Sequence, residues 1–517
     1  MPKIVIKEYD KTKAIANEYA NFAVVVPGPV GDKSDLTVFD DNGIYECSSQ
    51  ADFLEKIGLQ ANVAATSEDI QGTEKNAVPA VASQVEKITE GVADGYYKIA
   101  SGVIVYTKSA EAGEEKAGKF IDAQGYKYTK VFESDGFGLF ANREIYYTFE
   151  EGKEGADAVP AKKKVTQMFM GNQIAYELLG LGYTIFYKKY SNISELADPT
   201  FWEALKDKTN YDFRYIMTGY LSGGESTERI IEVAQTRGDC IALLDISSEA
   251  YKGEDARDTK IANIISEANG YTADKNCAIF LPTVVYDLTR SKAYETAFSN
   301  DASSNDASSN KNFNKRFPAS FHYLTCVANA SERYAEWYAA SGFTRGISPF
   351  GIATTDFTIG EAIIDKLQPR KQVGGLTHAV NVIAKFRDQY LLWGNRTANT
   401  LRAGDDGDLI ASDFLNIRQL CCTLKKQIYV ACRQLTFDPN SEMLWINFKN
   451  KIRPILEKMK ADQGIQDYEF VKITNAPKAT LKAQIRIVPI EAVEDFEIDV
   501  TLEDSLDGVV IGETDAE

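Results

Sequence analysis

The chain has 517 residues, 44% of them hydrophobic and 26% charged, which is ordinary for a globular protein and long enough for two to four cores. Its net charge of −18 argues against direct nucleic-acid binding by the surface as a whole, and no apolar run approaches the ~20 residues needed to span a bilayer. The start, MPKIVIKEYDKTK, lacks the apolar stretch of a signal peptide, so folding in a cytosol is expected.

KIVIK (3–7) reads as a short strand, followed by a polar connection and then by FAVVVPGPVGD (22–32), a buried strand ended by a Pro/Gly turn. Residues 58–165 change texture. They are rich in Ala, Gly, Glu and Lys, with aromatic strand candidates at 95–100, 102–107, 126–132 and 143–150, as in a β-rich module inserted into a larger fold.

From about 170 to 400 helices and strands alternate, which predicts a layered α/β unit. Helices are expected at 171–182, 200–208 and 227–238, with Gly238 as the stop. Strands are expected at 183–190, 212–219, 240–247 and 277–285, and FHYLTCVA (321–328) also reads as a buried strand. SNDASSNDASSN (299–310) reads as a surface loop.

The last hundred residues are the most informative. An amphipathic helical stretch opens at Asp413 and runs through 414–435 and 444–462. Its first part places Ile417, Leu420, Cys421, Leu424, Ile428, Cys432 and Leu435 on one face; its second places Leu444, Trp445, Phe448, Ile452, Ile455, Leu456 and Met459 together. Pro454 is expected to kink or break the second part. Strands follow at 468–474 and 481–488. DFEIDVTLED (495–504) then alternates Phe496, Ile498, Val500 and Leu502 with Glu497, Asp499 and Glu503. A detached strand of this kind suits the edge of another sheet.

Charge is divided along this region. From Phe414 to Arg486 there are 13 basic and 6 acidic residues; from Ile487 to Glu517 there are 11 acidic residues and no basic one. Lys425, Lys426, Arg433, Lys449, Lys451, Arg453, Lys458 and Lys460 are candidates for accepting an acidic arm or facing an acidic tube, the alternative being a solvated helix face.

Little points to catalysis. GPVGDKS (28–34) fails the P-loop spacing because Asp32 stands between Gly31 and Lys33, and LSGGE (221–225) without a P-loop is a Gly-rich turn. The two histidines, His322 and His378, lie in no metal-ligand or triad pattern. The seven cysteines form no C-x-x-C pair and read as small core residues. No catalytic residue, metal ligand or cofactor is assigned, and the chain is not expected to be an enzyme.

WGNRTA (393–398), with Trp393, Gly394, Arg396 and Thr397, resembles a motif of contractile tail sheath proteins, the family of myophage-type tails and related injection machines. The block FLNIRQLCCTLKKQIYVACRQLTFDPNSEMLWINFKNKI and the ending IRIVPIEAVEDFEIDVTLE resemble that family's C-terminal helices and terminal arm. KIVIKEYDKT with NFAVVVPGPVGD resembles its N-terminal arm and first core strand. The resemblance covers about 1–50 and 230–510; the 58–165 module and the PRKQVGG lead-in depart from the pattern.

The resemblance implies an α/β and α+β multidomain fold: an arm (1–21), a layered α/β core (22–57 and 166–345), an inserted β-rich outer domain (58–165), a C-terminal domain of helices plus a small sheet (346–490) and an acidic arm (491–517). The arms, through Ile4, Val5 and Ile6 at one end and 495–504 at the other, would complete the small sheets of neighbouring subunits. It further implies homohexameric rings stacked helically around an inner tail tube protein, with baseplate and tail terminator proteins as partners. Contraction would drive the tube through a target envelope without a nucleotide, nucleic-acid contact or membrane insertion. The place of such a subunit is the virion tail, assembled in the host cytoplasm. Two other readings stay open: a nucleotide-dependent enzyme using LSGGE, and a non-contractile surface-layer or adhesin subunit.

Overall fold

The computed structural model describes residues 22–30, 35–57, 85–87, 96–99, 104–106, 119–121, 127–133, 142–151, 163–168, 170–190, 193–218, 224–251, 255–287, 316–372, 374–387, 389–402, 409–474, 479–490 and 492. Both arm segments, most of the acidic loops and the 299–310 repeat lie outside the described residues.

In chain order, β1 (Ala23–Pro29) and β2 (Ile44–Cys47) precede α1 (Gln50–Ile57). The inserted region holds β3 (Val85–Lys87), β4 (Tyr96–Ile99), β5 (Ile104–Tyr106), β6 (Lys119–Ile121), β7 (Lys127–Glu133), β8 (Asn142–Glu151) and β9 (Lys163–Met168). These make one three-stranded and one four-stranded antiparallel sheet. Then come α2 (Met170–Gly180), β10 (Thr184–Tyr190), α3 (Pro199–Glu203), β11 (Tyr215–Met217), α4 (Gly224–Arg237), β12 (Ile241–Asp245), α5 (Arg257–Gly270) and β13 (Cys277–Leu281).

The strand expected over 277–285 is two strands. The chain leaves β13 at Pro282, whose nitrogen cannot donate to a ladder, and re-enters a separate three-stranded sheet as β14 (Val284–Asp287), with β15 (Arg316–Phe317) and β16 (Gly351–Thr355). FHYLTCVA is not a strand either. It lies in α6 (Ala319–Ser331), which is buried on almost every side, including at His322, Tyr323, Thr325 and Cys326. A helix without a polar face gives no 3.6-residue signal, so its apolar run imitates a buried strand.

α7 (Gly342–Arg345) and α8 (Glu361–Leu367) lead to β17 (Val380–Phe386) and β18 (Gln389–Trp393). The large sheet has eight strands in the order β18-β17-β13-β12-β11-β1-β10-β2. Its six inner strands are parallel, and β2 and β18 run antiparallel at the edges. β17 and β18, which the sequence assigns to a C-terminal domain beginning at residue 346, thus extend this sheet. Alternate residues of its strands enter two cores. Val24, Val26, Tyr215, Leu243 and Phe280 face α2 and α6, while Ala23, Val25, Ile216, Leu244 and Ile279 face α4 and α5.

The chain closes with α9 (Leu415–Arg433), α10 (Glu442–Ala461), β19 (Ile465–Ile473) and β20 (Lys482–Pro489), which share a third core around Leu420, Trp445, Ile452, Leu456 and Ile465. α10 passes through Pro454 without a break. Pro454 is exposed, and the buried stripe Leu444, Trp445, Phe448, Ile452, Leu456 and Met459 runs along both halves, so packing outweighs the lost backbone hydrogen bond. On α9, Cys422 is the fully buried cysteine, whereas Cys421 and Cys432 are half-buried at the margin of the stripe.

Candidate functional site

Two places distinguish the C-terminal unit: the joint that fastens it to the sheet, and the hairpin it presents away from that joint.

The joint begins where β18 ends. Gly394 has φ +142, and a Cβ there would lie 2.6 Å from Gln368 Nε2 and 2.7 Å from Asn381 Oδ1, so the WGNRTA segment needs glycine at this place. Asn381 on β17 donates to the carbonyls of Ile279 (3.1 Å) and Arg396 (2.8 Å) and accepts from the Arg396 N–H (2.8 Å). Asn395 then caps α9, whose own Phe414 has no capping side chain. The Asn395 carbonyl accepts from Leu415 N–H at 2.8 Å, and its Oδ1 from Asn416 N–H at 3.1 Å. Thr397 N–H donates to Asp413 O at 2.8 Å, and the Arg396 guanidinium lies 5.2 Å from the Phe414 ring centroid. The motif residues thus serve as a clip between sheet and helix; Arg396 and Thr397 are buried.

A second fastening is charged and buried. Arg214, just before β11, pairs with Glu336 at 3.2 Å, donates to Thr423 Oγ1 at 2.7 Å and to Gln419 O at 3.4 Å. Burial alone would lower the Arg214 pKa, but the Glu336 carboxylate beside it outweighs that and raises it, so the guanidinium stays charged. Gln419 Nε2 donates to the hydroxyls of Tyr215 (2.8 Å) and Tyr323 (2.6 Å). A third fastening runs from Trp337 Nε1 to Asp462 O at 2.9 Å, with Gly464 lying against the indole. Sequence reading missed Arg214, Glu336, Gln419 and Thr423, because the contacts join residues 87 to 209 positions apart.

Away from the joint the unit opens. The first half of α9 is buried through Leu424, but Tyr429, Val430 and Arg433 are exposed, as are Phe437 between the helices and Met443 and Ile446 on α10. The eight basic candidates divide accordingly. Lys425 donates to Gly238 O at 2.7 Å; Lys426 pairs with Asp212 and donates to Phe213 O at 2.8 Å. Both therefore bind the unit to its own body. Lys449 lies 5.3 Å from the Trp445 ring centroid, Arg433 5.9 Å from that of Tyr429, and Lys451 donates to Gln434 at 2.7 Å. Lys460 pairs with Asp467 at 3.1 Å, tying α10 to the hairpin; Arg453 is exposed and Lys458 half-buried.

β19 and β20 form an antiparallel pair that has no other strand among the described residues. One face packs on α10 through Tyr468, Phe470, Leu481, Ala483, Ile485 and Ile487, yet each of these is only half-buried. Both edges are free of strand partners among the described residues, and the apolar face is incompletely covered. The arm residues Ile4, Val5, Ile6, Phe496, Glu497, Ile498, Asp499, Val500, Leu502 and Glu503 lie outside the described residues.

The remaining candidates are packing residues. His322 Nδ1 meets Tyr286 OH at 2.7 Å, and burial pushes its pKa down to about 3; His378 Nδ1 donates to Ala398 O at 2.8 Å. Gly224 of LSGGE opens α4 with φ +71, while residues 221–223 fall outside the described set. Among the described residues no helix is long and apolar enough to cross a membrane.

No protein-family model matches the sequence, and no curated protein matches it. Among solved structures the chain is similar to the sheath complex of an extracellular contractile injection system, PVC, in the contracted state, with 14% identity over 65% of this chain and 81% of that one (TM-score 0.46). It is also similar to a chain of the anti-feeding prophage baseplate, with 12% identity over 64% and 80% (TM-score 0.44). A sheath tail protein from Desulfitobacterium hafniense matches at 8% identity over 95% and 100% (TM-score 0.39).

Proposed function

We propose that the chain is a structural, non-enzymatic subunit of a contractile tail sheath, polymerising as hexameric rings stacked around an inner tail tube. The observation that carries this is the unfinished hairpin of β19 and β20. Its two strand edges are unpaired among the described residues and its apolar face is half-covered, in a chain whose two ends carry detached strand sequences. Strand addition supplies backbone hydrogen bonds to such edges and extends the apolar face. A strand donated by one copy to the next is a head-to-tail contact, and contacts of that kind build open helical assemblies.

The sequence resemblance supports the finer parts of the reading. Segments 1–21 and 491–517 act as the arms, and the 58–165 insertion as an outward decoration. Arm strands keep copies linked while their bodies reorient, so contraction drives the tube through the target envelope for genome or effector delivery. The triply fastened joint suits this role, because body and C-terminal unit would turn together. The exposed cations that remain, Arg433, Lys451 and Arg453, with half-buried Lys449 beside them, offer a weak, releasable surface to an acidic tube.

The experiment is electron microscopy of the purified chain in negative stain. Tubes are expected, alone or around a tube protein. Deleting 492–517 is expected to leave a folded monomer, and tubes of ordinary length from that truncation would overturn strand exchange.

A further inference from the structure

The large sheet ends on two strands, β18 and β2, that have no outer strand partner among the described residues. Across eight strands at ~4.8 Å spacing these edges stand roughly 34 Å apart. Before Ile410, only three large apolar side chains are exposed among the described residues: Leu36, Phe343 and Ile347. Leu36 lies in the turn Leu36–Val38 that precedes β2. Phe343 and Ile347 flank Gly346, whose carbonyl accepts from Leu392 N–H of β18 at 2.8 Å. The body's exposed apolar surface is thus gathered at its two edges.

The β18 edge projects. Phe343 on α7 is 59% exposed, and its ring leans on Phe386 and Trp393 with centroids 5.5 and 5.8 Å away. Exposed Lys385 and Arg387 stand at the end of the β17–β18 hairpin beside Phe386; Asp388 of that turn lies outside the described residues. The β2 edge recedes. An open cleft of about 670 Å³ lies there, with Phe39, Tyr45, Phe186 and Tyr211 in its wall and the exposed carboxylates Asp41 and Glu46 along it. From Asp35 to Glu55 the chain has six acidic residues and no basic one. Asp40 is occupied by its own turn, accepting from Ile44 N–H at 2.8 Å and from Tyr211. Lys188 donates to Asn42 O and Lys189 lies 4.6 Å from the Phe39 ring centroid, and neither lines the cleft.

We infer that a second copy docks edge to edge: Phe343 of one copy enters the cleft beside β2 of the next, with Lys385 and Arg387 set against Asp41 and Glu46. The two edges of one chain are too far apart to meet, so the complement comes from another copy. An aromatic anchor seated in a pocket supplies the binding energy, and the opposite charges around it fix the register. The contact is head-to-tail and leaves each copy with one free edge, so it propagates. This rests on the reading of the chain as a self-assembling subunit and adds to it a body-to-body contact that uses neither chain end.

The test uses the full chain. The lowest concentration at which tubes form is expected to rise at least tenfold in F343D, in K385E/R387E and in D41K/E46K. Combining the two charge reversals is expected to return it to within threefold of the parent. A thermal melt unchanged from the parent shows that each variant is folded. T344C mixed with D41C is expected to give a dimer with a short bismaleimide cross-linker that neither variant gives alone. Reversals that assemble at the parent concentration, or that the combination fails to restore, overturn the contact and leave strand exchange standing. A parent that forms no tubes while the mixed pair still cross-links overturns the sheath reading and leaves the contact standing. A parent that forms no tubes and a mixed pair that does not cross-link overturn both.

Discussion

The eight-stranded sheet and the two-stranded hairpin are built from similar residues and end in opposite conditions. The sheet sends alternate side chains into two cores, and Val24, Phe280 and Ile383 are each 1% exposed or less. The hairpin also alternates, yet apart from Ile465 its inward residues stop at half-burial. A strand whose apolar face is left half-covered contributes less to its own chain than its composition promises. The body's sheet is covered on both faces within one chain; among the described residues the hairpin's apolar face is not.

Truncating one apolar residue in each region is the most direct way to break that contrast. Phe280, buried and stacked on Tyr323 with centroids 4.9 Å apart, is expected to cost ~3–5 kcal/mol when replaced by Ala. Ile485→Ala in the isolated chain should cost no more than about 1 kcal/mol, because only part of that side chain is withdrawn from water. In assembled tubes the ranking should narrow. Urea melts of unassembled chain and of tubes read both, and an Ile485→Ala loss equal to that of Phe280→Ala in the monomer would show a complete hairpin.

The joint between the regions comes next. Glu336→Ala leaves Arg214 charged in a site where its side chain is 2% exposed, so a loss of about 3 kcal/mol is expected, with the C-terminal unit becoming protease-sensitive before the sheet. The double change Arg214→Met with Glu336→Leu removes both charges and should recover most of it. Simultaneous proteolysis of the two regions in Glu336→Ala would mean that the joint is not what separates them.

These regions also differ in how well the sequence announced them. α9 and α10 were legible because each has one buried and one polar face; Ile417, Leu420 and Leu424, or Phe448, Ile452 and Met459, recur at helical spacing. α6 was not, since burial on all sides erases the period. The candidate hairpin strands were legible from alternation, but their open edges are a property of pairing, which no single strand records. Lys425 and Lys426 show the same limit. Their charge suggested an outer surface, and only the fold brings Gly238, Asp212 and Phe213 to them. Trp393 to Thr397 stood out as a motif, while its work, capping α9 from a distant strand, is visible only in three dimensions.

The completed body carries a pH signature of its own at neutral pH. Glu177 on α2 is buried, with Oε1 unpartnered, and burial pushes its pKa up to about 8. The folded chain therefore holds a proton that the unfolded chain releases near pH 4.5, and stability drains away as pH rises from there to about 8. Buried His322, held down at about 3, works in the opposite sense, but its contribution is complete above about 6.5. Between pH 6.5 and 8 the Glu177 term thus falls without that opposition. Glu177→Gln should flatten the decline and raise stability at pH 8 by about 2 kcal/mol. Melting temperatures at pH 6.5 and 8 for both chains check it, and parallel declines would remove Glu177 as the source.

The smallest effect is expected at the tip of the open region. Phe437 is fully exposed and holds φ +73, a left-handed conformation disfavoured for a bulky side chain. Nothing in its own chain repays that conformation through burial. Phe437→Gly should therefore raise the stability of the unassembled chain by ~0.5–1 kcal/mol, read from the urea midpoint. If the same change also makes tubes harder to form, the aromatic ring is held out for a neighbour, and the open region extends from the hairpin edges to the helix tip. If tube formation is unchanged, the incompleteness is confined to β19 and β20, and the exposed stripe of Val430, Met443 and Ile446 is simply solvated helix surface.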